Sequence, residues 1–202
     1  MKRYNEDFLD KIKGFNLEVL KNSKYPIYAL SKELKFIYFN PAWSHFAKDN
    51  QFEGTALKNL SLGSPYLKSI KGVWLKLFFQ KNYKKVIRTG ETWHHEYQCS
   101  SDELYRFYHQ IAYPLLNKSG VLIVNTEVFK LPMDQMNIKT FEVIIERYTQ
   151  PNNRINQCSN CRHTQRADEP DLWDWVPNWV EKLPINSDLS ICPTCKHLYE
   201  DS

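Results

Sequence analysis

Glycine is scarce in this chain of 202 residues, which contains six glycines and none after Gly120. Loops that hold phosphate groups, and the sharp turns that present a nucleophilic serine, need closely spaced glycines. The sequence has no such loop, and it has no histidine–glutamate motif of the metalloprotease kind. We therefore expect a protein that is not an enzyme.

Long apolar stretches are missing as well, since the longest uninterrupted apolar run is far too short to span a bilayer. The chain starts Met1-Lys2-Arg3, but acidic residues follow at once and the apolar segment of a signal peptide does not appear. We expect a soluble, cytoplasmic protein without a membrane partner. Because the cytoplasm is reducing, paired cysteines there hold metal more often than they form disulfides.

The sequence also lacks a block of basic charge. Its net charge is +4, yet residues 151–202 hold five basic and eight acidic residues, and the remaining residues hold 22 basic and 15 acidic ones. The basic excess of residues 1–150 consists of scattered lysines. A solvated surface explains such lysines more simply than a face that binds phosphates, so we expect no nucleic-acid partner.

Hydrophobic residues make up 42% of the chain and aromatic residues 14%, enough for a packed core rich in rings. Apolar residues recur every three or four positions in residues 3–21 and 65–88, which predicts two helices. Asn40 and Pro41 are typical of the N-cap and first position of a third helix over residues 42–48.

Alternating or continuous apolar runs predict five strands. The last two of these strands are joined by the polar turn Asn117-Lys118-Ser119-Gly120. Strict alternation in the later strands is typical of an antiparallel sheet with one buried face. The five predicted strands cover residues 25–30, 35–39, 92–99, 103–113 and 120–129.

The order of these elements resembles a PAS domain, a sensory module, over roughly residues 22–130. The motifs that carry the resemblance are Tyr25 to Leu30, Phe36 to Trp43 with Asn40-Pro41 inside it, Arg106 to His109, and Tyr113 to Leu115. The resemblance implies a five-stranded antiparallel sheet with helices packed on one face. It also implies a small molecule held between sheet and helices, and dimerisation through the N-terminal helix.

Inward-facing residues of two predicted strands supply a candidate ligand pocket. If the odd-numbered residues face the interior, they line it with rings that carry a few polar tips, as in many small-molecule sites. The same rings could instead simply fill the core, and the sequence leaves both readings open. The candidate pocket residues are Trp93, His95, Tyr97, Phe107 and His109.

Two cofactors common among PAS domains do not match this sequence. Flavin-adduct members carry a reactive cysteine on a helix, whereas no cysteine precedes Cys99 here and Cys99 falls in a predicted strand. Haem-binding members take an axial histidine from the long helix, and residues 65–88 contain none. Four histidines elsewhere could still ligate iron, although each is more typical of a surface or hydrogen-bonded core residue: His45, His94, His95 and His109. We therefore expect neither cofactor, and the identity of any small ligand stays unknown.

Four cysteines near the C-terminal end form two Cys-x-x-Cys pairs, Cys158 with Cys161 and Cys192 with Cys195. Two cysteines at this spacing can curl around one metal ion, and two such pairs complete a tetrahedral set of sulfur ligands that suits zinc. Iron bound as in rubredoxin and a redox-active dithiol are the alternatives. His163 and His197 each follow a pair closely and could replace a cysteine ligand.

This cysteine-rich stretch is similar to a tail that follows PAS or receiver domains in some bacterial signalling proteins. In that tail a Ser-His-Gly-Ile run precedes the second pair, whereas this chain has Asp188 to Ile191 there, so the match is partial. The 30 residues between the pairs carry tryptophans and one predicted short helix over 177–182. A unit this small cannot bury much core, and a metal ion is the usual remedy.

Together these patterns predict an α+β protein in four parts: an N-terminal helix over 1–22, a PAS-like domain over 23–131, a linker over 132–154 and a zinc-binding module over 155–202. The expected function is that of a non-enzymatic sensory or regulatory signalling protein. We expect a homodimer that acts through a protein partner. The alternative is a nucleic-acid-binding regulator that uses the cysteine module as a zinc ribbon, which the acidic balance of residues 151–202 disfavours.

Overall fold

A computed structural model describes residues 3–12, 14–49 and 61–200. Its larger sheet has five strands in the order β2-β1-β5-β4-β3. β1 pairs antiparallel with both β2 and β5, from Ile27 opposite Val124 to Ser31 opposite Gly120. This sheet and its helices confirm the predicted α+β class. The strands are β1 Ile27–Ser31, β2 Phe36–Phe39, β3 Trp93–Gln98, β4 Leu104–Pro114 and β5 Gly120–Pro132.

The N-terminal residues form two short helices, α1 Phe8–Lys11 and α2 Leu17–Asn22, so the predicted single helix over 3–21 is wrong. Gly14 lies between them with a φ of +100°, a conformation that ends a helix. The side chain of Asn16 then starts α2 as its N-cap, accepting hydrogen bonds from the backbone N–H groups of Glu18 and Val19.

These helices cover one face of the sheet. Phe8, Ile12 and Leu20 are buried in a cluster with Ala29 of β1 and Leu122 of β5. The apolar stripe of the N-terminal residues is therefore covered by the chain's own sheet. The PAS resemblance implied dimerisation through this N-terminal segment, but its apolar residues pack within the chain itself.

The opposite face carries the helices α3 Pro41–Asp49 and α4 Val73–Thr89. Tyr28 of β1 points to this side, with its ring 4.7 Å from that of Trp43 in α3 and its hydroxyl 3.1 Å from the hydroxyl of Tyr83 in α4. Consecutive residues of a strand point to opposite faces, and Tyr28 follows this rule against its neighbours Ile27 and Ala29. The core around Tyr28 is dominated by rings, as the composition indicated.

The first residues of α4 and α3 are set by the residues just before each helix. α4 begins at Val73 rather than near residue 65, because a short 3₁₀ turn at Tyr66–Lys68 and Gly72, with a φ of +86°, precede it. Asn40 is the N-cap of α3 as predicted, and its Oδ1 accepts a hydrogen bond from the N–H of Trp43 at 2.9 Å.

The predicted hairpin turn between β4 and β5 is confirmed. Asn117 and Lys118 have φ values of +54° and +55°, and the N–H of Leu115 donates to the carbonyl of Gly120 at 3.0 Å. A Cβ on Gly120 would lie 2.1 Å from the carbonyl oxygen of Leu30. Glycine is therefore required where β5 passes closely alongside β1.

The described residues form two compact units. The first takes residues 1–70, 76–94 and 110–126, and the second takes 71–75, 95–109 and 127–202. The described residues hold no helix with the length and apolar character that a membrane crossing needs. The division into 1–22, 23–131, 132–154 and 155–202 stays a prediction about domains.

The second unit contains a smaller sheet of four strands in the order β8-β7-β6-β9, in which β6 and β9 run parallel. Tyr148, which lies in the predicted linker, is fully buried in a cluster with Ile155, Val176 and Trp179. The elements of this unit are the helices α5 Ile145–Tyr148, α6 Asn178–Glu181 and α7 Pro193–Glu200 and the strands β6 Ile155–Cys158, β7 Thr164–Gln165, β8 Trp173–Asp174 and β9 Ser187–Ser190.

Candidate metal centre

The first cysteine pair lies in a tight turn at the end of β6. Cys158 is the last residue of the strand, and its N–H donates to the carbonyl of His163 at 2.8 Å. The N–H of Arg162 donates back to the carbonyl of Cys158 at 3.1 Å, and Arg162 takes a φ of +67°. This reversal turns the side chain of Cys161 back toward that of Cys158.

The second pair lies at the start of α7. Cys192 immediately precedes Pro193, which takes the first helical position where proline fits best. Cys195 lies in the first turn, and its N–H donates to Sγ of Cys192 at 3.4 Å. Free N–H groups at a helix start can point at thiolate sulfur in this way and help to hold its negative charge.

Parallel pairing of β6 with β9 brings the two pairs together. Cys158 lies opposite Ser190, two residues before Cys192, so both chains leave the small sheet at the same edge. The N–H of Ser159 donates to the carbonyl of Ser190 at 2.8 Å, and the N–H of Cys192 donates to Sγ of Cys158 at 3.4 Å. Backbone contacts therefore set the separation of the two pairs.

The four sulfur atoms all lie within 4.8 Å of one another, and all four cysteines are buried. Sγ of Cys161 is 3.6 Å from Sγ of Cys192, which is far beyond a disulfide bond of about 2.05 Å. Four sulfurs arranged tetrahedrally at about 2.3 Å from a zinc ion would be about 3.8 Å apart. The cluster thus fits the predicted Cys158, Cys161, Cys192 and Cys195 ligand set.

The thiols perturb one another strongly. Hydrogen bonding with Cys161 lowers the pKa of Cys158, while hydrogen bonding with Cys158 raises the pKa of Cys161 well above its usual value. The pKa of Cys192 is lowered as well, and that of Cys195 is raised by hydrogen bonding with Cys158. The four thiols thus divide into two that ionise more readily and two that resist, because their negative charges would lie within 4.8 Å of one another. A bound cation is what allows all four to be thiolates together.

The two histidines considered as replacement ligands lie outside the cluster, whose members among the described residues are all cysteines. Nδ1 of His163 is 3.3 Å from the carbonyl oxygen of Cys161, and its ring lies 5.4 Å from that of Trp175. Burial lowers the pKa of His163. His197 is an exposed residue of α7. Cys99 is also outside the cluster, and burial raises the pKa of its thiol.

Three of the candidate pocket residues share one face of β3. Trp93 and His95 are buried and Tyr97 is half-buried. The ring of Trp93 packs 5.6 Å from Phe78 of α4. The ring of Tyr97 stacks on Tyr108 of β4 at 5.4 Å.

The other two, Phe107 and His109, lie on the opposite face of β4 from Tyr108, because consecutive strand residues alternate. Phe107 stacks on Phe129 of β5 at 5.5 Å, and Nδ1 of His109 is 3.6 Å from Oε1 of Glu96, an exposed residue. The expectation that the odd-numbered residues of this strand face inward is therefore wrong. The even-numbered residues Arg106, Tyr108, Gln110 and Ala112 are the buried ones.

Comparison with solved structures finds PAS domains among the similar chains. The PAS domain of a protein from Colwellia psychrerythraea is 12% identical, with 55% of this chain and 92% of that one covered and a TM-score of 0.41. The PAS domain of BvgS from Bordetella pertussis is 15% identical, with coverage of 55% and 82% and a TM-score of 0.42. These scores are low, and the α+β class rests on the sheet and helices described above.

A phage VqmA–DPO complex is also similar, at 15% identity and a TM-score of 0.41. The match covers 59% of this chain and 52% of that one, so this chain corresponds to about half of the phage protein. No family model matches this chain. No curated protein matches it either.

Sequence reasoning missed a buried polar chain in the first unit. The hydroxyl of Tyr83 donates to Oε1 of Gln110 at 2.8 Å, and Nε2 of Gln110 donates to Oδ1 of Asn125 at 2.8 Å. The hydroxyl of Tyr28 lies 3.1 Å from that of Tyr83. Two signals could have found the chain: Gln110 alternates with Tyr108 and Ala112, and Asn125 ends an otherwise apolar run.

Proposed function

We propose that this protein is a non-enzymatic sensory or regulatory signalling protein of the bacterial kind, with a structural zinc site in its C-terminal module. The observation that carries the proposal is the convergence of four buried cysteine sulfurs within 4.8 Å of one another. Four thiolates fill the coordination shell of zinc, so no position is left for water or substrate. That arrangement favours a structural site over a catalytic one.

The metal would stabilise the folded module, as a hydrophobic core stabilises a larger domain. Around the cluster, Trp173 and Ile191 are the partly buried apolar residues that pack against the four cysteines. The module's separate apolar cluster of Tyr148, Ile155, Val176 and Trp179 is small, and a module of this size needs a further source of stability. Zinc held by four cysteines supplies it, because binding free energy and folding free energy are then the same quantity.

The five-stranded sheet is the proposed receiver of the signal, through a small ligand or a protein partner. Its support is the combination of PAS-like motifs in the sequence with a ring-rich face beneath α4 that also contains polar groups, such as Tyr83 and Gln110. A small molecule bound there would meet ring faces and a few hydrogen-bonding groups. Only Trp93, His95 and Tyr97 of the predicted pocket residues lie on the buried face of β3.

We expect the protein to pass its signal to a protein partner. We also expect it to form a homodimer. The apolar side of α1 and α2 is buried on the chain's own sheet, so it no longer supports dimerisation. The later part of β5 exposes apolar side chains instead. Val128 is 53% exposed, Phe129 40% and Leu131 39%. Burying such residues is a common driving force for association.

The proposal is tested by native mass spectrometry of the full chain purified without added metal, combined with elemental analysis. We expect one zinc ion per chain, because the four sulfurs surround a single site. Cys192→Ser should lose the ion, and Cys99→Ser should keep it, since Cys99 lies outside the cluster. The same spectra report any co-purified small molecule and the oligomeric state. A wild-type chain without stoichiometric metal would contradict the proposal.

A further inference from the structure

One side chain in the first cysteine turn makes contacts in three directions. Asn160, between Cys158 and Cys161, is 5% exposed. Its Nδ2 donates to Sγ of Cys195 at 3.1 Å. Its Oδ1 accepts a hydrogen bond from the hydroxyl of Tyr199 at 3.0 Å and another from the backbone N–H of Gln98 at 3.2 Å. The amide therefore uses its donor on a metal ligand and its acceptor on residues outside the cluster.

These partners come from distant parts of the sequence within the second unit. Cys195 and Tyr199 belong to α7, whereas Gln98 is the last residue of β3. The ring of Tyr199 lies 4.4 Å from that of His95 on β3. Residues 95–98 thus meet the metal module through the side chain of Asn160 and the ring of Tyr199.

We infer that Asn160 is a positioning residue that couples metal binding to the end of β3. The inference rests on the proposed zinc site. When a metal ion fixes Cys195 and the first cysteine turn, Asn160 is held where it can accept the N–H of Gln98. When the metal leaves, the turn that positions Asn160 loses its anchor, and the bond to Gln98 weakens. Residues 95–98 then exchange their amide protons faster.

The coupling between zinc binding and the Asn160–Gln98 hydrogen bond is reciprocal. If zinc strengthens this hydrogen bond, then the hydrogen bond strengthens zinc binding by the same free energy. Groups that hydrogen-bond to metal ligands typically change metal affinity by about 10- to 100-fold when they are removed. Loss of the Asn160 amide should therefore weaken zinc binding within that range, while leaving the stoichiometry at one. A residue that only filled space in the turn would not change affinity and β3 exchange together.

The test is hydrogen exchange of the full chain, followed by mass spectrometry, with zinc bound and after its removal. Zinc affinity is measured in parallel by competition with a coloured chelator. In the wild type we expect faster exchange in peptides covering 95–98 after zinc removal, and unchanged exchange in β1, which lies in the first unit. In Asn160→Ala we expect fast exchange at 95–98 even with zinc bound, and a 10- to 100-fold weaker affinity.

Three further variants separate the contacts. Asn160→Asp keeps an acceptor for Gln98 and removes the donor to Cys195, so it should retain β3 protection with zinc bound while weakening zinc binding. Tyr199→Phe removes only one hydroxyl, and it should accelerate exchange at 95–98 and weaken zinc binding less than Asn160→Ala. The control is Asn186→Ala, because Asn186 is bonded to the carbonyl of Asn153 and should behave as wild type.

The outcomes distinguish this inference from the proposal on which it rests. A wild type that binds no zinc overturns both. A wild type that binds one zinc, with the same exchange at 95–98 in both states, overturns the coupling and leaves the structural site standing. If Asn160→Ala does not fold, Tyr199→Phe decides: exchange at 95–98 and zinc affinity equal to wild type would overturn the coupling.

Discussion

At the scale of single residues, Asn40 shows how far local chemistry can be predicted. Its role as the N-cap of α3 follows from the order Asn-Pro before a helical segment, and the bond to Trp43 confirms it. The structure adds contacts that no local rule contains. Oδ1 also accepts the N–H of Ile27 at 2.9 Å, and Nδ2 donates to the carbonyl of Tyr25 at 2.8 Å. The same side chain thus ties the start of β1 to the start of α3.

His95 carries a prediction about pH. It is 2% exposed, and burial, with a smaller contribution from the charge of His109, lowers its pKa to about 3. In the unfolded chain a histidine binds a proton below about pH 6.5. Between these values the unfolded state holds more protons, so the free energy of unfolding falls as the pH is lowered from about 6.5 toward 3.

We expect His95→Phe to lose this contribution. The wild type should lose up to about 1.4 kcal/mol more stability per pH unit than the variant between pH 6 and pH 4, measured by urea unfolding at each pH. Protonation of the cysteines destabilises both proteins and cancels in the comparison. Equal slopes in wild type and His95→Phe would refute the prediction.

At the scale of elements, the periodicity of apolar residues predicted the type of each of these segments, helix or strand, but it did not predict where the N-terminal helix breaks or which face of β4 is buried. The helix over 3–21 was predicted from its apolar spacing, but Gly14 and the capping side chain of Asn16 divide it. Periodicity records only the positions at which apolar residues recur. It therefore cannot detect an interruption of the helix that leaves the spacing of those residues unchanged. In β4 both alternating sets contain rings, so the pattern could not say which set is buried. The structure buries the even-numbered set, with Tyr108 stacked on Tyr97 and Gln110 bonded to Tyr83 of α4.

Gly72, just before α4, gives a prediction at this scale. It has a φ of +86°, and a Cβ there would lie 3.3 Å from Cβ of Ser159, beside Cys158. Gly63 has a similar φ of +82° with open space around it. Alanine at either site costs about 1–2 kcal/mol for the left-handed backbone. Gly72→Ala should cost about 1 kcal/mol more, because Ser159 must also move.

The two glycine variants are compared by urea unfolding of the zinc-bound protein. For Gly63→Ala the change in unfolding free energy is measured for the first unit, and for Gly72→Ala it is measured for the second unit. The difference between them isolates the contact with Ser159 from the backbone term. If Gly63→Ala is as damaging as Gly72→Ala, the close approach to Ser159 contributes nothing.

At the scale of the whole molecule, metal removal should act on one part of the chain and spare the rest. Stripping zinc with a chelator removes the link between Cys158 and Cys192, and residues 155–200 should become sensitive to proteases. The first unit keeps its own core, in which Phe8, Ala29 and Leu122 are fully buried. Limited proteolysis, with fragments identified by mass spectrometry, should therefore show loss of the tail before loss of residues 27–31.

Cys158→Ser should reproduce the effect of the chelator, and Cys99→Ser should resist proteolysis like the wild type. The expected effect is large, since structural zinc sites contribute apparent binding free energies of about 10–16 kcal/mol at neutral pH. A tail that stays equally resistant after chelation and in Cys158→Ser would show that the metal does not hold it together.

The sequence by itself determined three properties of this protein. They are the set of cysteines that could share a metal ion, the residue at which α3 starts, and the formation of an α+β core rich in aromatic rings. Spacing and residue type are enough there, because the interactions are local or the ligand chemistry is selective. Only the tertiary structure decided that β6 and β9 pair in parallel, which brings Cys158 and Cys192 together across 33 intervening residues. It also decided that Gln98 meets Asn160 and that Gln110 faces Tyr83. Such contacts depend on register and packing between distant segments, and no periodicity within one segment contains that information.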